Sequence, residues 1–195
     1  MIRQAQWEYP EPRKGLGGLW DNFFGPGATT LEVLITLISS LVALIALLYY
    51  AYVKDLGWSV IQNIVAGVLV FDLAGGVVWN ATTTAKRWFH RKEQTPLKHI
   101  GFVAVHIVQI FLFSFFFRGL DIVYIIVAYV YLLVSSFAVV FSPVRIQRAL
   151  ALILVMGAFV LSTYVFSLTP GFEWFLPALF TKLLISHLTY EEPYV

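Results

Sequence analysis

Asp72, Gly75, Gly76, Trp79, Asn80 and Thr83 follow one another at i, i+3, i+4, i+7, i+8 and i+11, which places them on one face of a single helix. The run that carries them, from about Trp58 to Thr84, is otherwise largely apolar. A carboxylate inside such a run costs a few kcal/mol if the helix lies in a membrane, so it calls for a partner or a task. Burial pushes a carboxyl towards neutral pH, where imidazole also titrates. The next apolar run supplies an imidazole at His106, with Gln109 one turn deeper. Asp72 and His106 therefore read as an acid and a base able to relay protons or hold a cation. The alternative is that Asp72, His106 and Gln109 hydrogen-bond one another only to fix the packing of two helices.

Heights along the two helices are compatible with the pairing. At a rise of ~1.5 Å per residue, Asp72 lies roughly 16 Å in from Thr83, His106 about 10 Å in from His99, and Gln109 about 15 Å in. Because the runs are antiparallel, Gly75 and Gly76 come level with His106, where two missing side chains permit close helix approach or leave room for a ligand. His99, beside Lys98 at a boundary, reads as a solvated interfacial residue. Lys182 lies about 9 Å from the end of its own run and is expected to snorkel to the headgroups. His187 is expected to be interfacial as well.

The Asp72 stripe continues into cations. Lys86, Arg87, His90 and Arg91, followed by Lys92 and Lys98 and interleaved with Trp88 and Phe89, read as a positive loop that attracts anionic headgroups. Together with Asn80 and Thr82–Thr84 they would also suit a phosphate headgroup or an anionic substrate. No metal site is assigned, since His99, His106 and Asp72 stand at different heights. No cofactor is implied either. The chain has no cysteine, and its four histidines at 90, 99, 106 and 187 are too few for a histidine-rich diiron centre. P-loop, GxSxG and HExxH patterns are lacking, so the usual parts of those nucleotide, serine-hydrolase and zincin mechanisms are missing.

These residues must be positioned by membrane helices. Of 195 residues, 59% are hydrophobic and 12% charged, and the mean hydropathy is +0.81, values far outside the soluble range. The expected fold is an all-α integral membrane bundle of six spans, at about 30–53, 58–84, 99–117, 122–141, 149–168 and 172–188. The sixth is short and holds Glu173, Pro177, Lys182 and His187, so five spans plus a re-entrant or interfacial sixth is the alternative. The second span runs without a break signal into the basic run, and its helix is expected to project from the membrane. Arg118-Gly119-Leu120-Asp121 leaves only a tight turn, which makes the third and fourth spans antiparallel neighbours.

Residues 1–29 form a tail without the apolar core of a cleavable signal. Within it Leu16, Leu19, Trp20, Phe23 and Phe24 read as a short surface segment. Residues 189–195 form the other tail. Ten basic residues (Arg3, Arg13, Lys14, Lys86, Arg87, Arg91, Lys92, Lys98, Arg145 and Arg148) fall on the N-terminal side of the membrane, against Lys54 and Arg118 on the other. That asymmetry sets both termini in the cytoplasm.

The expected location is a membrane, the plasma (inner) membrane in a prokaryote, with lipid rather than nucleic acid as partner. Three functions fit the polar seam. The leading one is proton- or cation-linked transport or permeation, for which so short a chain is expected to form a homo-oligomer. The second is a membrane-embedded enzyme acting on a lipid or other amphipathic substrate. The third is a structural or partner-binding role without chemistry.

Overall fold

A computed structural model describes residues 10–190; Arg3 and the tail residues Glu191–Val195 lie outside them. All regular elements among the described residues are helical. They are α1 (Leu16–Phe24), α2 (Thr30–Val53), α3 (Val60–Asn80), α4 (Thr83–Phe89), α5 (Pro96–Ala104), α6 (Ile107–Phe117), α7 (Ile122–Val140), α8 (Val144–Val160) and α9 (Phe175–Phe180). Wider π-helical turns extend α8 over Leu161–Val165 and α9 over Thr181–His187. Counting α5–α6 as one rod and α8 with its extension as another, five helices are long and apolar enough to cross a membrane. The chain therefore has the character of a multi-pass membrane protein.

Local chemistry sets the helix starts. Thr29 with Glu32 and Ser59 with Gln62 form reciprocal capping boxes ahead of α2 and α3, each satisfying backbone N–H groups that a helix start leaves without partners. Thr95 caps α5 with Pro96 in its first turn, where no N–H is needed. Asp121 caps α7 by accepting from the Tyr124 N–H. The tight turn before it uses left-handed Gly119 and Leu120, at φ 62° and 61°.

Two ends of the bundle are defined by their contacts. At one, Trp58 packs on Phe117 and Phe172, and Arg118 donates to the Ser167 carbonyl at 2.7 Å. At the other, Glu32 reaches Thr84, Lys86 reaches Thr189 and the Tyr190 N–H reaches Gln147. Successive long helices run from one end to the other and back. The surface segment α1 lies at the second end, with Phe24 edge-on to Trp79 and the Trp88 indole donating to the Asn22 carbonyl. Leu16, Leu19 and Phe23 remain exposed on it.

Two helices depart from the sequence reading. The expected continuous span from 58 to 84 stops at Asn80, because Thr82 starts a new helix by accepting from the Ala85 N–H. Glu32 adds a second cap from outside, taking the Thr84 N–H at 3.0 Å and its hydroxyl at 2.9 Å. The fifth helix begins at Val144, five residues earlier than expected, so Arg145 and Arg148 lie within its first turns.

The short sixth segment is buried within the protein. Phe175, Leu176, Leu179, Phe180, Leu183 and Leu184 are all buried, and residues 171–189 touch Trp58 at one end and Lys86 at the other. Its helix, Phe175–His187, is shorter than the five long ones. Enclosure by protein explains its composition: an axial helix meets the side chains of its neighbours on every side.

Candidate functional site

Asp72 sits near mid-height of α3, 12 residues from its start and 8 from its end, which is roughly 18 and 12 Å at the helical rise. Its Oδ2 accepts from the Lys182 ammonium at 2.7 Å and from the Gln109 amide. Three elements thus converge on one oxygen. The exposures are unequal: the Lys182 side chain is 6% exposed and that of Asp72 46%. Asp72 Oδ1 has no hydrogen bond among the described residues, and the buried Oε1 of Gln109 has none either. Two acceptors therefore stand open beside an ion pair.

The glycines make this geometry possible. A Cβ on Gly76 would lie 2.8 Å from Lys182 Cδ, so a side chain there would displace the lysine stem that crosses α3 to reach Asp72. Gly75 faces the other way, and a Cβ there would run into the Ser40 hydroxyl on α2. The two adjacent glycines serve two neighbours. One admits α2 and the other admits Lys182.

His106 is placed differently from the expected acid–base pair. It has no hydrogen bond to Asp72; its Nδ1 lies 2.8 Å from the Phe102 carbonyl. A carbonyl only accepts, so this geometry puts the proton on Nδ1. The backbone explains the contact: the His106 N–H bonds the Val103 carbonyl, one residue short of the α-helical register, which frees the Phe102 carbonyl for the ring. The same tightening separates α5 from α6. The Phe102 ring lies between two imidazoles, 5.0 Å from His106 and 4.2 Å from His187, centre to centre.

Beyond Phe102 lies a second polar cluster. His99 Nδ1 and His187 Nε2 are 3.2 Å apart, His90 Nε2 is 2.7 Å from the His187 carbonyl, and His90 stacks on His99 at 4.7 Å. All three are buried. Lys86 caps the last helix, donating to the Thr189 carbonyl at 2.7 Å, and the Tyr190 hydroxyl donates to the His90 carbonyl. His90 Nδ1 is buried without a partner among the described residues. Burial, helped by His99 and Lys86, pushes the His90 imidazole down to about 3, so it stays neutral and presents a bare lone pair. No group of three histidine and carboxylate side chains among the described residues is arranged to hold a metal ion.

The remaining sequence candidates are spread out. Asn80 is buried at the end of α3, away from the Asp72 pair by two helical turns. Arg91 lies over the Trp88 ring at 3.7 Å and donates to its carbonyl, while Arg87 is partly buried. Sequence reasoning set Lys182, His99 and His187 aside as boundary residues; the structure turns all three inward. The signal for Lys182 was present in its charge: it is the one cation inside the last apolar run, as Asp72 is the one acid inside the second. Nothing in the spacing signalled the His99–His187 contact, which joins residues 88 apart. Glu32 was also missed, although Thr29-x-x-Glu32 is a capping pattern.

No protein family, curated protein or solved structure matches the chain.

Proposed function

We propose that this chain is a small proton-linked transport or permeation protein, spanning the membrane with its N-terminus in the cytoplasm and using the Asp72–Lys182 pair as its proton-responsive element. The observation that carries the reading is the half-exposed Asp72 carboxylate at mid-height with Oδ1 open, held by a buried ammonium. A proton passed from Lys182 to Asp72 converts two charges into two neutral groups without changing the net charge of the site. In a low-dielectric surrounding such an exchange is a modest step, whereas stripping either partner alone leaves an uncompensated charge. The open Gln109 Oε1 beside it offers a further acceptor for a water or hydronium.

The histidines extend the path. Asp72 and Lys182 form one station, His106 the next, and His187 with His99 a third towards the cytoplasmic end. The Phe102 ring between His106 and His187 serves as the apolar barrier that keeps the route from leaking. Imidazole suits such stations because each ring can accept a proton on one nitrogen and release it from the other. Association into a homo-oligomer would shield the exposed flank of Asp72 from lipid.

The test is proton flux into liposomes carrying the purified chain, driven by a potassium diffusion potential and read by an internal pH dye. Wild-type protein is expected to exceed protein-free vesicles, with Asp72→Asn and Lys182→Met returning flux to background. The charge swap, Asp72→Lys with Lys182→Asp, should recover folding but not flux. Equal flux in wild type, Asp72→Asn and His106→Ala would reduce the seam to a packing device.

A further inference from the structure

A second feature lies on the opposite flank of α3 from Asp72. A cavity of about 460 Å³ is lined by Ala43, Ala46, Tyr50, Ala74, Glu173 and Trp174, among others. This volume falls within the range of about 300–1,000 Å³ for small-molecule sites. Its shape follows from the helices. Ala43, Ala46 and Tyr50 lie on successive turns of α2, Val70 and Ala74 one turn apart on α3, and Trp174 and Ala178 one turn apart at the start of α9. The slot therefore runs lengthwise, parallel to the helix axes, and small side chains hollow out its walls.

Its polarity is graded along that length. The mid-height end holds Ala43, Val70, Ala74 and Ala178 and no polar side chain. The Trp58 end holds the Tyr50 phenol, the Trp174 indole and the Glu173 carboxylate. The indole donates to the Gly171 carbonyl at 2.7 Å and so is fixed in place. Glu173 is exposed, is the one charged side chain lining the slot, and has no ion pair among the described residues. An apolar slot that ends in a single acid suits an extended hydrocarbon chain with a cationic head. A compact apolar molecule would leave the acid without a partner.

We infer that this slot binds a membrane lipid, with one acyl chain between α2, α3 and α9 and an ammonium-bearing headgroup against Glu173. The lipid enters sideways from the bilayer, since the slot lies on the lipid-facing flank of helices that are themselves long enough to span. Tyr50 and Trp174 flank the headgroup as amphipathic rings do at a membrane interface. The inference is independent of proton movement at Asp72.

The test is native mass spectrometry of the full chain released from mixed micelles containing equal phosphatidylethanolamine and phosphatidylglycerol. The wild type is expected to keep one phosphatidylethanolamine per chain, favoured over phosphatidylglycerol about fivefold, equivalent to about 1 kcal/mol for a surface ion pair. Glu173→Gln, an exposed position that leaves packing intact, should equalise the two lipids without abolishing adducts. Ala74→Leu or Ala46→Leu should fill the slot and remove adducts of both, with a melting curve confirming that each variant is folded. Equal retention of the two lipids by the wild type overturns the proposal. So do adducts that survive both leucine variants, or a dimer whose formation excludes lipid, which would place a second copy in the slot.

Discussion

The two polar clusters of this bundle use similar residue types in opposite ways. At the His90 end three polar groups are turned towards backbone, Lys86 to the Thr189 carbonyl, His90 to the His187 carbonyl and Tyr190 to the His90 carbonyl, while the His99–His187 contact there, like the mid-height pair, joins two side chains. A carbonyl cannot titrate, so those contacts hold α4 to the end of the last helix at every pH at which the donors keep their protons. At mid-height the charged side chains face one another, and acceptors on Asp72 and Gln109 stay open. Side chains that face side chains can exchange protons and partners. The contrast separates groups that lock the fold from groups available for chemistry, which residue type alone does not.

The largest effect should come from splitting the mid-height pair. Asp72→Asn strands a buried ammonium, and a loss of about 3–5 kcal/mol is expected in denaturant unfolding of the detergent-solubilised protein. Adding Lys182→Met should restore most of it, because the stranded charge is gone. Additive losses in the double variant would show that the two side chains do not form a coupled pair. At the other cluster, Lys86→Met removes charge-assisted bonds to the end of the last helix and should cost about 1.5–3 kcal/mol. A loss as large as that of Asp72→Asn would erase the distinction between locking and chemically available groups.

Acid sharpens the comparison further. His90 is held neutral in the folded chain down to about pH 3, while in the unfolded chain it protonates near 6.5. Between those values the unfolded state binds the extra proton, so stability falls as pH falls. The loss attributable to this group should be about 1.4 kcal/mol per pH unit below roughly 6.5. Melting curves from pH 7.5 to 5 should show the decline, and His90→Gln should make it shallower. The smallest effect is expected at Glu32, which caps both α2 and α4. Glu32→Ala should cost about 1 kcal/mol and loosen the Thr83–Phe89 segment, as read by faster hydrogen exchange there.

Much of the frame was legible because it depends on neighbours in sequence. The turn at Arg118–Asp121 follows from four residues between two apolar runs, and the helix over Thr30–Val53 from a long hydrophobic stretch. The Asp72 face was legible too, since helical periodicity alone decides which residues share a side. What periodicity does not supply is the identity of the facing residue. Lys182 is 110 positions from Asp72, and height favoured it no more than His106. Its position near a helix end made escape to the headgroups the local expectation.

Sequence by itself determined that this chain forms apolar helices of membrane-spanning length, with one acid on a glycine-bearing face. Only the tertiary structure decided that the short last helix runs through the protein interior. Enclosed there, Lys182 cannot snorkel to a headgroup, because neighbouring helices occupy its route and the nearest counter-charge is Asp72. The same enclosure joins His187 to His99 and closes Lys86 onto the carbonyls at the end of the last helix. Burial of one helix, a property of how the others pack around it, turned three boundary residues into the interior polar groups of the molecule.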